Sequence, residues 1–306
     1  MAIGIGLGLA RYPFQAVDSF WRWVELCETS GIDSLWQTDR LVSKEPFLEC
    51  LTAIAAIAGA TRRIKFGMNV ASVALRDPLV LAKQCATIDF LSKGRLLPAF
   101  GIGSDVAPEW AATGRGTQGR GARTDEALTI IEGLWRGDAV TLQGAHYQYQ
   151  DAVICPLPVQ QPLPLWIGGS SPAAIRRTAR FGTGWQAGFE SPVEAGQART
   201  AIIAALAETG RSIDPDHYGA GFFFHFGSRD DAVCQRELRY LARAVPSRDL
   251  SHAVAVGADE ILTRVHDYAA NGIAKLILRP LAEDDAGLLD QTRRLVGDVL
   301  PRVSAQ

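Results

Sequence analysis

The sequence predicts an α/β fold, a single (β/α)8 TIM-type barrel, and three observations carry that prediction. The β-rich runs are short and apolar, and they alternate with helical patterns along nearly all 306 residues. The alternation persists to the C-terminal end, and no composition break marks a linker. Strands separated by helices pair in parallel through right-handed crossovers, as a closed barrel or an open sheet; the three observations favour closure. Residues 1–306 are therefore expected as one domain, with insertions near 104–122, 138–164 and 227–257.

The elements follow in order. Ile3–Leu9 reads as the first strand, with a helix near Asp18–Thr29, and Asp33–Gln37 as the second, with an alanine-rich helix over Phe47–Gly59. Ile64–Val70 is the third strand. Its helix opens with Asp77 as N-cap and Pro78 at the first position, repeats Leu81, Cys85 and Ile88 at helical spacing, and stops at Gly94. Arg95–Phe100 is the fourth strand, and Thr124–Arg136 a helix with Asp125 and Glu126 in its first turn and Gly137 behind it. The prolines of PLPVQQPLP keep 138–164 out of any central strand. Then come strands at Leu165–Ile167, Gly184–Gly188, Tyr218–Phe226 and Lys275–Leu278, with helices at Pro172–Phe181, Pro192–Thr209, Asp230–Ala244, Ala258–Ala270 and Ala286–Val299.

Composition excludes several classes. With 47% hydrophobic and 21% charged residues the chain is not expected to be disordered. Its 31 Lys+Arg against 33 Asp+Glu give a formal charge of −2, which speaks against nucleic acid as a partner. Cys27, Cys50, Cys85, Cys155 and Cys234 form no close pair, so reduced thiols in a buried core are expected, with neither zinc ribbon nor redox dithiol. The start MAIGIGLGLARYP lacks a basic leader, and the most apolar stretch, Leu51–Ala60, is about half a bilayer span. A cytoplasmic protein without a membrane partner is expected.

Chemistry in such barrels gathers where strands end. Trp36, Asp39 and Arg40 follow strand two, Asn69 strand three, Ser104, Glu109 and Trp110 strand four, and Gly168, Gly169 and Ser170 strand five. Trp185, His225 and Arg279 end the last three strands. Aromatic rings mixed with a few polar groups suit a planar organic ligand rather than a metal, and no HxH or HxxxH spacing is present. WIGGSSPAAI, 166–175, runs a strand through Gly-Gly-Ser into a helix, a turn that either cradles a phosphate or binds nothing. The glycines of GIGLG (4–8) and GIG (101–103) fit close backbone approach better than nucleotide binding. GRGTQGRGAR, 114–123, puts Arg115, Arg120 and Arg123 into a glycine-rich loop, either a mobile lid or an anion grip through Arg123.

The chain resembles the bacterial luciferase-like family of flavin- and deazaflavin-dependent barrel oxidoreductases. The resemblance rests on DSLWQTDRL (33–41), RIKFGMNVASVALRDPLVLAKQCATIDFLSKGRL (63–96), RTDEALTIIEGLW (123–135), PLPVQQPLPLWIGGSSPAAIRRTARFGTGW (156–185) and ADEILTRVHDYAANGIAKLILRP (258–280), in that order. It implies a flavin-type ring at the C-terminal mouth, its phosphate near Gly168, Gly169 and Ser170, and a cis peptide at Asn69–Val70 supporting the ring's face. It also matches Asp39 to a position of the deazaflavin branch, and Ser104 and Arg123, from their places in the chain, join Asp39 as expected cofactor contacts. Arg40 stands where the deazaflavin branch often has His. The leading expectation is a monooxygenase using reduced FMN from a separate flavin reductase, O2 and a small organic substrate. There the segment 104–123 closes over the site, and Trp36, Trp110 and Trp185 shield the ring beside Arg279. The alternatives are a coenzyme F-420 (deazaflavin)-dependent dehydrogenase or reductase, with Glu109 or His225 handling the proton, and a non-catalytic flavin-binding barrel. Relatives commonly pair through barrel helices, so a homodimer is expected.

Overall fold

A computed structural model describes residues 3–9, 14–246 and 248–304. The barrel staves are β1 (Gly4–Leu9), β2 (Ser34–Gln37), β3 (Lys65–Met68) with β4 (Ala71–Ser72), β5 (Leu96–Leu97) with β6 (Ala99–Gly101), β9 (Trp166–Gly168), β10 (Gly184–Gln186), β11 (Tyr218–His225) and β13 (Lys275–Pro280). Each pairs in parallel with the next, and β13 returns to β1, so the eight staves close into a ring. Two staves are broken in the middle. The third breaks at the Asn69–Val70 peptide, which is cis, and the fourth at Pro98, which has no N–H for a ladder.

The outer layer is helical, and the caps explain its boundaries. α3 (Pro78–Ser92) starts where the Asp77 carboxylate accepts from Val80 N, and α6 (Pro172–Phe181) where Ser171 accepts from Ala174 N. α7 (Pro192–Glu208) has a full Ser191–Glu194 capping box. α2 (Cys50–Ala60) begins later than the sequence reading, because Glu49 caps it. α5 (Arg120–Arg136) begins earlier, from Gly119 in the left-handed region. Arg120 and Arg123 thus lie on the helix rather than in a loop, and Asp125 and Glu126 fall beyond its first turn. Asp125 instead binds Arg177 at 2.6 Å, and Glu126 accepts three backbone N–H groups from 145–147.

The segment 138–164 contains an antiparallel hairpin, β7 (Val140–Gln143) and β8 (Gln148–Ala152). The segment 227–257 contains α8 (Ala232–Ala244) and β12 (Val254–Val256), a short strand parallel to β11 that the sequence reading lacks. Within 104–122 lies a short helix, α4 (Glu109–Ala112). Among the cysteines, Cys155 is exposed and the other four are buried, against the expectation of five buried thiols. Among the described residues, no helix is long and apolar enough to cross a membrane.

Inside the ring Trp36, Leu97, Ala99, Trp166 and Ile277 form one apolar cluster, with Val70 packed on it. The Val70 side chain is wedged between staves four and five. A Cβ added at either Gly101 or Gly168 would lie 2.9 Å from its Cγ2. Gly101→Ala is therefore expected to cost about 1–3 kcal/mol in urea unfolding, the range for overpacking.

Candidate functional site

A cavity of about 510 Å³ opens at the C-terminal ends of the staves. Asn69, Phe223 and Arg279 reach it from the barrel, Arg40 and Lys44 from the loop after β2, and Glu237 from α8. Burial lowers the pKa of Arg279 from the ordinary arginine value, opposed by Glu237 and Tyr268; its guanidinium lies 5.2 Å from the Phe223 ring centre. A second cavity, about 560 Å³, lies at the N-terminal face between Asp33, Trp166, His217 and Lys275. The first is the candidate site, since loops at strand C-termini carry the chemistry of such barrels.

The bulge bearing Asn69 and Val70 is held from below. Asp39 accepts from Arg76 through both oxygens, at 2.8 and 2.6 Å, and its Oδ2 also accepts from Ser72 N at 2.9 Å. Arg76 reaches Glu49 at 3.1 Å and Cys50 Sγ at 3.5 Å. Asp39, Glu49 and Cys50 form a group of metal-ligand type, but the Arg76 guanidinium already binds all three. Burial and the Asp39 charge raise the Cys50 thiol well above its usual pKa. Asp39, expected at the cofactor, thus positions the bulge.

Arg40 lines the cavity and pairs with Glu109 at 3.3 Å. The Glu109 Oε1 also accepts from Leu41 N at 3.4 Å, whereas its Oε2 is buried without a partner. Glu109 therefore meets the cavity through Arg40 rather than on its wall. Asn69 Nδ2 is likewise buried and unpartnered. Buried polar groups are nearly always paired, so a donor is left on the cavity wall for a ligand and an acceptor behind Arg40.

The Gly-Gly-Ser turn is already engaged. Gly169, at φ +99°, donates its N–H to Gln186 O at 3.2 Å. The Ser170 hydroxyl donates to Glu190, a carboxylate 5% exposed that also accepts from Gly188 N at 2.5 Å and Arg248 Nη1 at 3.3 Å. Gly168 makes room for Val70. The phosphate expected at Ser170 meets a carboxylate.

Several other expected positions are corrected. Trp36, wholly buried, fills the barrel and donates to Ser34 Oγ at 2.8 Å. Trp185 faces the helical layer and donates to Gly169 O at 2.8 Å. Trp110 packs on Ala74 and Leu75 and donates to Ser104 O at 2.7 Å. That contact ties down 104–115, and no residue of 104–123 lines the cavity, so the expected lid is not over it. Ser104 is exposed. His225 faces Leu281 O at 3.0 Å and Asp231 at 2.9 Å, so acceptors occupy both ring nitrogens and neither is offered to a ligand. Arg123 Nη1 is buried without a partner on the first turn of α5, an open donor for an anion. Of the expected residues, Arg40, Asn69 and Arg279 line the cavity. Sequence reasoning missed Phe189, Glu237, Tyr240 and Glu190. The first three come from a loop and an inserted helix with no motif, and the only mark of Glu190 was its place before the Ser191–Pro192 cap.

Comparisons with known proteins agree with the fold. A family model described as luciferase-like monooxygenase matches residues 3–286. An F420-dependent glucose-6-phosphate dehydrogenase of Beutenbergia cavernae is 29% identical, over 92% of each chain. One of Amycolatopsis mediterranei is 26% identical, over 91% of this chain and 92% of that one. Among solved structures, an F420-dependent secondary alcohol dehydrogenase superposes with TM-score 0.83 at 19% identity, over 99% of each chain. The FMN-bound oxygenating constituent of a Pseudomonas putida diketocamphane monooxygenase gives 0.80 at 16%, also over 99% of each.

Proposed function

This chain belongs to the luciferase-like monooxygenase family and is an oxidoreductase of its flavin- and deazaflavin-dependent kind, and from that premise we propose a deazaflavin, coenzyme F-420, as its cofactor and hydride transfer to or from a small oxygen-bearing substrate as its reaction. The observation that carries the choice is the charged cavity. Arg40, Lys44, Arg279, Glu45 and Glu237 line it, and the segment 104–123 does not close it. Oxygen activation on reduced FMN calls for a dry, closed chamber; hydride transfer calls for orientation and charge placement. The relatives at 26–29% identity over nine-tenths of the chain lend the same weight.

The residues present fit a flavin-type ring. Val70 offers an apolar shelf over the barrel core, and Asn69 Nδ2 offers a donor on the cavity wall for its polar edge. When bound, a deazaflavin supplies the hydride-carrying carbon. The Arg40 guanidinium lines the cavity and places positive charge beside a substrate oxygen. Glu109 orients Arg40 and is the carboxylate proposed here to hold the proton. The relatives' sugar phosphate is not carried over, since Arg40 stands where their branch often has His.

Fluorescence titration with FMN, reduced FMN and coenzyme F-420 tests the proposal. We expect F-420 to bind at least about tenfold tighter than either flavin, a difference of about 1.4 kcal/mol. Tight binding of reduced FMN with oxygen-consuming turnover would replace it with the monooxygenase and its separate flavin reductase. Binding without turnover on any carbonyl or alcohol would leave a non-catalytic barrel.

A further inference from the structure

The Glu190 carboxylate sits where the sequence reading placed an anion. It is 5% exposed and is held by the Ser170 hydroxyl, Gly188 N and Arg248 Nη1. Its own backbone carbonyl accepts from Tyr268 at 2.8 Å. The loop is pinned further by His252 Nε2 against Phe189 O at 3.1 Å. Arg248 is shared, since its Nη2 reaches Glu194 at 3.2 Å. One guanidinium thus serves two carboxylates, and Arg248 brings no surplus positive charge to the turn. A serine hydroxyl has one hydrogen. While Ser170 donates it to Glu190 it has none for a phosphate oxygen.

We propose that Glu190 is a charge-selecting residue for the cofactor's side chain at the Gly168–Ser170 turn. It admits hydroxyl groups or the singly charged phosphodiester of a deazaflavin coenzyme, and disfavours the doubly charged phosphomonoester of FMN. Buried like charges brought together are costly, and the cost grows with the charge on the entering group, because Arg248 is already committed. A neutral polyol meets the same carboxylate as a hydrogen-bond acceptor. The inference rests on the reading that a flavin-type side chain runs along this turn.

The test compares riboflavin with FMN by fluorescence titration, because the two differ only in the phosphate. In the wild type we expect FMN to bind no tighter than riboflavin. In Glu190→Gln, which keeps shape and removes charge, FMN is expected to gain about tenfold or more over riboflavin, with riboflavin moving less than threefold. Ser170→Ala is expected to leave the wild-type ratio within threefold, since that hydroxyl is not available to phosphate. A ratio unchanged between wild type and Glu190→Gln overturns the inference, as does a wild type that prefers FMN by tenfold. Should Glu190→Gln fail to fold, Glu190→Ala is read in the same way. Riboflavin and FMN report on Glu190 whichever cofactor supports turnover. Failure here therefore leaves the deazaflavin proposal to its own titration.

Discussion

Arg76→Met is expected to destabilise the protein by about 3–5 kcal/mol, the cost of leaving one member of a buried ion pair alone. The Asp39 side chain is 4% exposed and that of Arg76 12%, so solvent screening takes little from that figure. Methionine replaces the apolar stem, which confines the change to the lost guanidinium. Asp39 would keep the N–H of Ser72 and the weak thiol of Cys50, too few donors for a carboxylate out of water. Urea unfolding at pH 7 measures the effect, and a loss below about 1 kcal/mol would assign the pair to the weak surface class. Adding Asp39→Asn to Arg76→Met is expected to recover much of the loss, because the stranded charge is then gone. The consequence reaches the site. Asp39 holds Ser72, which closes the bulge carrying Asn69 and Val70, so ligand affinity should fall in the single variant even in the fraction that remains folded.

The parts of this molecule that could be read in advance are those decided within a few residues. Asp77–Pro78, Ser171–Pro172 and the Ser191–Glu194 box announce helix starts, because cap and first turn are neighbours in sequence. Parity along short strands was harder. Trp36 is third in the run SLWQ, and a residue so near a strand end can face the mouth, the core or the helices. It turns inward because Gly67 on the neighbouring stave leaves it room: a Cβ there would lie 2.7 Å from its ring. Trp185 alternates the other way, between inward Gly184 and Gln186, and faces the helices. The site itself depends on pairs distant in sequence. Arg76 meets Asp39, Glu109 meets Arg40, and Ser170 finds its carboxylate only after the next stave has been crossed. No local pattern marks such partners. The Gly-Gly-Ser turn was correctly placed at a helix start, yet its donors could not be known to be spent until Gln186 and Glu190 were seen beside them.

Glu109→Gln is expected to lower kcat about 10²–10⁴-fold, the range for losing a positioned acid or base, while cofactor affinity changes less than threefold. Glutamine keeps the length and planarity of the side chain. Its carbonyl can still accept from Arg40 and Leu41 N, the two donors that Oε1 serves at 3.3 and 3.4 Å. Arg40 therefore stays near its place, and what disappears is the capacity to hold a proton at the buried Oε2. The two roles open to Glu109 predict different pH profiles. If it handles the proton, the wild type shows a limb in kcat that the variant lacks, and single-turnover hydride transfer slows with it. If it only steadies Arg40, kcat falls by a small factor, the limb survives, and Arg40→Lys, which also lets the pair drift, reproduces the loss. A surviving limb with near-normal kcat would take the proton away from Glu109. His225 does not inherit the role, because Leu281 O and Asp231 already occupy both of its nitrogens. The proton would then come from Glu45 or Glu237 on the cavity wall, or from solvent through the open, charged mouth.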